Sequence, residues 1–103
     1  MKIWEIEKDV IYNLINPYLK KNQHIIDIDC DEYYNCILIK IGMGFEFEHK
    51  EYTKLIMISK SGKIRGDAIF TTDKLREEIK NKLDKIIKKN DIILEECVDD
   101  IVF

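Results

Sequence analysis

The chain has 103 residues, of which 46% are hydrophobic and 36% charged, with a formal net charge of −3 and a pI near 5.4. This composition excludes a disordered chain and leaves room for one domain, residues 1–103, while the acidic balance argues against a nucleic-acid partner. Three cysteines (Cys30, Cys36 and Cys97) without a CxxC pair argue for reduced thiols rather than a disulfide framework or a zinc site.

Residues 4–20 predict a helix. Ile6, Val10, Leu14 and Tyr18 recur at four-residue steps, with Ile11, Ile15 and Leu19 beside them. Pro17 demands either a kink or a restart capped by Asn16. Residues 1–20 carry Lys2, Glu5, Glu7, Lys8 and Asp9, so they lack the apolar run of a signal peptide. No segment approaches the ~18 apolar residues of a membrane span, and a cytoplasmic protein without a membrane partner is expected.

Residues 24–31 alternate. Ile26, Ile28 and Cys30 are expected on the inward face, and Asp27, Asp29 and Asp31 on the outward one. Residues 32–35 (EYYN) predict a turn. Residues 36–41 alternate again, with Ile37, Ile39 and Ile41 inward and Cys36, Leu38 and Lys40 outward. A tight hairpin would set Asp27 opposite Lys40, Asp29 opposite Leu38 and Asp31 opposite Cys36. Gly42-Met43-Gly44 fits either a bend within one strand or a three-residue hairpin loop, with Phe45, Phe47 and His49 inward in both cases.

Residues 52–59 are apolar on both faces from Leu55 to Ile58 and predict a central strand. Residues 60–62 (KSG) predict a turn. Residues 63–70 predict a weaker strand with Ile64, Ala68 and Phe70 inward, where Gly66 marks a bulge or an edge. Leu75, Ile79, Leu83, Ile86 and Ile87 form one stripe and predict a helix over 73–89. Thr72 or Asp73 can cap its start, its charges follow the helix dipole, and Asn90 can stop it. The tail fits a short strand at 92–95 or a last helix. The expected fold is therefore α+β: an N-terminal helix, an antiparallel meander of four or five strands and a long amphipathic helix on one sheet face. The acids are expected on the other face.

Three carboxylates at two-residue spacing could hold a divalent cation, but along a strand they stand about 7 Å apart, so a solvated face is the expected role. Glu48-His49-Lys50, taken with Asp29 or Asp31 on a neighbouring strand, resembles the PD-(D/E)xK nuclease pattern. The resemblance implies an Asp and a Glu holding a metal that activates water, with the Lys stabilising charge. The chain departs from that pattern in having His49 where an apolar residue is usual and in lacking a PD pair. Such a site requires Glu48 to pair back onto Leu38, which only a hairpin loop at residues 42–44 permits. His24 and His49 fall on the inward parity near strand ends, as boundary residues. KSGK lacks the first glycine and the Ser/Thr of a phosphate-binding loop.

Tyr33 and Tyr34 sit in the expected turn beside the acids, the combination that interface centres use. The reading that follows is a small acidic binding protein without catalysis or cofactor. Asp27, Asp29, Asp31, Glu32, Tyr33, Tyr34, Glu46 and Glu48 would meet a basic protein surface, as toxin-immunity proteins and phage inhibitors of host defence do. Homodimer formation through a free sheet edge is the other association such a chain allows.

Overall fold

The computed structural model describes residues 1–43, 53–66 and 73–95. Four β-strands follow one another as an antiparallel meander: β1 (Gln23–Asp31), β2 (Cys36–Met43), β3 (Thr53–Ile58) and β4 (Ile64–Gly66), side by side in chain order. Helix α1 (Lys8–Ile15) precedes the sheet, and helix α2 (Asp73–Lys89) packs against it. The expected α+β architecture is the one observed, with four strands among the described residues.

Isoleucine makes the core. Ile37, Ile39 and Ile41 of β2, Ile56 and Ile58 of β3, and Ile28 and Ile64 on the flanking strands face α1 and α2. There they meet Ile11, Leu14, Ile15, Ile79 and Leu83. Branched β-carbons suit a pleated surface and lose little rotamer freedom in it, so this residue favours strand and core together.

Three turns hold the register. The first hairpin pairs Asp27 with Lys40, Asp29 with Leu38 and Asp31 with Cys36, as parity required, and residues 32–35 form its loop. At the β3–β4 hairpin, Gly62 N–H donates to the Ser59 carbonyl at 2.8 Å and Ser59 N–H donates to the Lys63 carbonyl at 2.9 Å. Gly62 takes φ +81°, so the loop over 60–62 needs glycine there. Helix α2 ends as a Schellman motif: Ile92 N–H reaches the Ile87 carbonyl at 3.0 Å and Asp91 N–H the Lys88 carbonyl at 3.5 Å. The left-handed residue is Asp91, at φ 50°, one position after the expected stop at Asn90.

Two expectations are corrected. The helix over 4–20 is broken into a 3₁₀ turn (Ile3–Glu5), α1, and a second 3₁₀ turn (Asn16–Tyr18) that contains Pro17. Ile6 and Glu7 are extended between the first two pieces. The break lets Met1 and Lys2 run alongside the tail: Ile93 N–H donates to the Met1 carbonyl at 2.7 Å, and Lys2 and Ile93 form a parallel bridge. A continuous helix would carry those residues elsewhere. Ile93 therefore supplies the strand-like character expected of 92–95, as one bridge.

The second correction is in β1. Ile25 pairs with Ile41 but Asp27 with Lys40, so Ile26 is the extra residue of a β-bulge. Ile26 and Asp27 both point outward, and Ile26 is 49% exposed rather than inward. Ahead of the bulge the parity is reversed: Gln23 is buried, Ile25 half-buried and His24 exposed, so the inward expectation for His24 also fails. Gly42 lies opposite His24. A β-carbon on Gly42 would stand 2.8 Å from the His24 ring and 2.9 Å from Ile26 Cδ1, so both side chains drape over bare backbone.

Candidate functional site

The acids occupy one edge of the outward sheet face, where β1 is the outermost strand. Moving inward across one row, Asp29 is followed by Leu38, then Met57, then Arg65. Met57 is only 2% exposed and Cys36 is buried, and both lie outside the main core cluster. The outward face is thus acidic along β1 and apolar at its centre, as the outward places of Cys36 and Leu38 and the two-faced apolar run over 55–58 required. Charged side chains and a bulge on an outermost strand also keep it from pairing with another chain edge-on.

Asp27 and Asp29 are exposed. Lys40 stands across from Asp27 and offsets part of its charge, whereas Asp29 faces Leu38 and has no such neighbour on the ladder. Asp31 is half-buried and does local work: its Oδ1 accepts the Tyr34 N–H at 3.1 Å, closing an Asx-type turn. Asn35 completes the loop at φ 51°, a left-handed position that Asn tolerates. Its Nδ2 donates to Glu95 Oε1 at 2.6 Å, and the same carboxylate lies 3.6 Å from Lys2 Nζ and 3.9 Å from Lys60 Nζ. The loop is therefore tied to the tail, the N-terminus and the β3–β4 turn at once.

On this tethered loop Tyr33 is 86% exposed and Tyr34 59%. Their rings meet edge to face, 4.8 Å between centroids at 83°. Glu32 is exposed beside them. Trp4, in the first 3₁₀ turn, is half-buried. Glu46, Glu48, Lys50 and Tyr52 lie outside the described residues, as do His49, Cys97 and positions 45, 47, 68 and 70, which were expected inward.

Burial is the first cause that raises the Cys30 thiol above its ordinary value; Asp29 adds to it and Lys8 opposes it. Burial also leads for Cys36, reinforced by Asp31, Asp29 and then Cys30. The Cys30 thiol lies 3.7 Å from the Ile6 carbonyl as a weak donor. Both groups are held as neutral thiols beside anions, the reverse of what a nucleophilic cysteine needs.

Among the described residues no three His, Cys, Asp or Glu side chains converge as metal ligands. The pairing that a nuclease site required is not made. Leu38 has Asp29 on one side and Met57 on the other, so neither side of it is open to Glu48. β2 runs on through Gly42 to Met43, and β3 begins at Thr53 opposite Gly42. The sequence reading missed a separate cleft between β4 and α2. Its signal was that the only two arginines of the chain, Arg65 and Arg76, both line it. No described helix is long and apolar enough to cross a membrane. The chain matches no family model, no curated protein and no solved structure.

Proposed function

We propose that this chain is a non-catalytic binding protein that docks a basic protein surface through β1 and the β1–β2 loop. The observation that carries the reading is the exposed Tyr33–Tyr34 pair, held on a tethered loop at the end of the strand that bears Asp29 and Asp27. Two rings left in water on an ordered loop lose little further freedom on binding, and rings of this kind are frequent binding anchors. The flanking carboxylates would steer a cationic partner and disfavour acidic ones. Glu32 belongs to the same surface, and Glu46 and Glu48 join it on sequence parity alone. Toxin-immunity proteins and phage inhibitors of host defence work in this manner, and small size with an acidic balance fits that class.

The test is capture of a basic nuclease by immobilised wild-type chain and by the Asp27→Lys/Asp29→Lys variant. A second variant, Tyr33→Ala/Tyr34→Ala, removes the anchors. Charge reversal should slow association and make it less sensitive to salt, whereas loss of the rings should speed dissociation. Equal binding by all three proteins would refute this surface.

A further inference from the structure

The opposite end of the sheet carries the opposite charge. Lys63 and Arg65 at the β4 edge and Arg76 and Lys80 of α2 line a cleft of about 570 Å³, in which Glu77 is the one carboxylate among the described lining residues. We propose that this cleft binds a small organic phosphate of nucleotide size.

Four observations support the assignment. The first is charge: four cations converge in a chain whose net charge is −3. The second is residue choice. Among 17 basic residues only two are arginine, and both are here. Guanidinium differs from ammonium in presenting a planar fork that matches phosphate oxygens in pairs, so arginine is the residue for which this geometry matters. The third is size: the volume falls within the roughly 300–1,000 Å³ of clefts that enclose small ligands. The fourth is how the cations are held. Arg76 pairs with Asp73 and Lys80 with Asp84, but Asp73 is almost wholly exposed and Asp84 half so. Pairs of that kind are screened by water and weak, so a multiply charged phosphate can replace the carboxylates at small cost.

The site is independent of the β1 surface, from which β2 and β3 separate it. Failure of either proposal leaves the other standing.

The test is a titration of the full chain, labelled with ¹⁵N, against adenosine diphosphate, inorganic pyrophosphate and a hexaglutamate peptide. Saturable amide shifts with the two phosphates, confined to residues 63–66 and 76–80, are expected, with the peptide weaker. Arg76→Lys keeps the charge and removes the fork, and should weaken binding about tenfold, the equivalent of about 1.4 kcal/mol. Lys63→Glu/Arg76→Glu should abolish it, while Lys88→Glu/Lys89→Glu, an equal charge change at the far end of α2, should leave it intact. Unchanged thermal unfolding of each variant separates lost binding from lost fold. The proposal is overturned if neither phosphate gives saturable shifts, or if the shifts spread over all lysine-bearing surfaces. Equal weakening by the far-end variant would also overturn it, as would tighter binding of hexaglutamate, which would make the cleft a carboxylate site.

Discussion

Asp91 is the residue whose replacement should stabilise the protein. It occupies the left-handed position of the Schellman motif at φ 50°, where a β-carbon is crowded and glycine is at ease. That conformation costs an L-residue about 1–2 kcal/mol, somewhat less for Asp, whose short polar side chain tolerates it. A carboxylate just past the helix C-terminus adds about 0.3 kcal/mol of repulsion with the dipole. Against this, glycine frees the unfolded chain and gives back about 0.4–1 kcal/mol. The balance for Asp91→Gly is a gain of about 1 kcal/mol, or about 4 °C in Tm for a domain of this size. The backbone bonds of the motif, including Ile92 N–H to the Ile87 carbonyl, do not involve the Asp91 side chain and should persist. Urea and thermal unfolding of four proteins separate the contributions. Stability should fall in the order Asp91→Gly, Asp91→Asn, wild type, Asp91→Ala. Asparagine removes only the charge, whereas alanine removes the charge and keeps the strain without polar compensation. An Asp91→Gly variant equal to or weaker than wild type would show that the helix end is not strained as described.

Three further outcomes are expected. Gly42→Ala should destabilise by about 1 kcal/mol, because the new methyl meets the His24 ring and Ile26 Cδ1. In the background of His24→Ala the same change should cost clearly less, and a double-mutant cycle without coupling would reject the contact. Ile39→Ala, in the fully buried row between Ile28 and Ile56, should cost roughly 2–5 kcal/mol in urea unfolding, and a loss under 1 kcal/mol would mean the site collapses freely. Cys30 and Cys36 both ionise at higher pH in the fold than in the unfolded chain. Their contribution is whole below the ordinary thiol value, about 8.5, and is lost as pH climbs through the raised folded values, because the unfolded chain releases its protons first. Wild type should therefore lose more stability on alkalinisation than Cys30→Ala/Cys36→Ala; parallel curves would remove the thiols from the account.

Helix α2 was legible to both ends because its stripe, its charge order and its stop residues all agree over 73–89. The β1–β2 register was legible because two alternating runs joined by a four-residue loop leave one pairing that buries both apolar sets. The bulge was not. Ile25 and Ile26 are equally apolar, so hydrophobic order alone does not say which of them is inward, and the ladder's slip decides it. The broken first helix was hidden for a related reason: its apolar spacing suits a helix throughout, and only the bridge between Lys2 and Ile93, at opposite ends of the described chain, sets where the chain must turn. For the proposed docking surface, exposure of Asp27 and Asp29 followed from parity. The part Asp31 plays in the loop followed from neither parity nor charge. The β4–α2 cleft depended on tertiary packing that brings 63–65 to 76–80, which no local pattern encodes.

The extra residue at position 26 also gives β1 one place where its length can change without moving the rest of the strand out of phase. Deleting Ile26 would remove the bulge and leave Ile25 opposite Ile41 and Asp27 opposite Lys40 in one continuous alternation, whereas deleting Asp29 would throw the residues on one side of it out of phase. An inserted residue between 32 and 35 meets no such conflict, since the loop projects beyond the ladder. Natural variation in length within this hairpin should therefore collect at the tyrosines and at the bulge, and spare the rest of the strand.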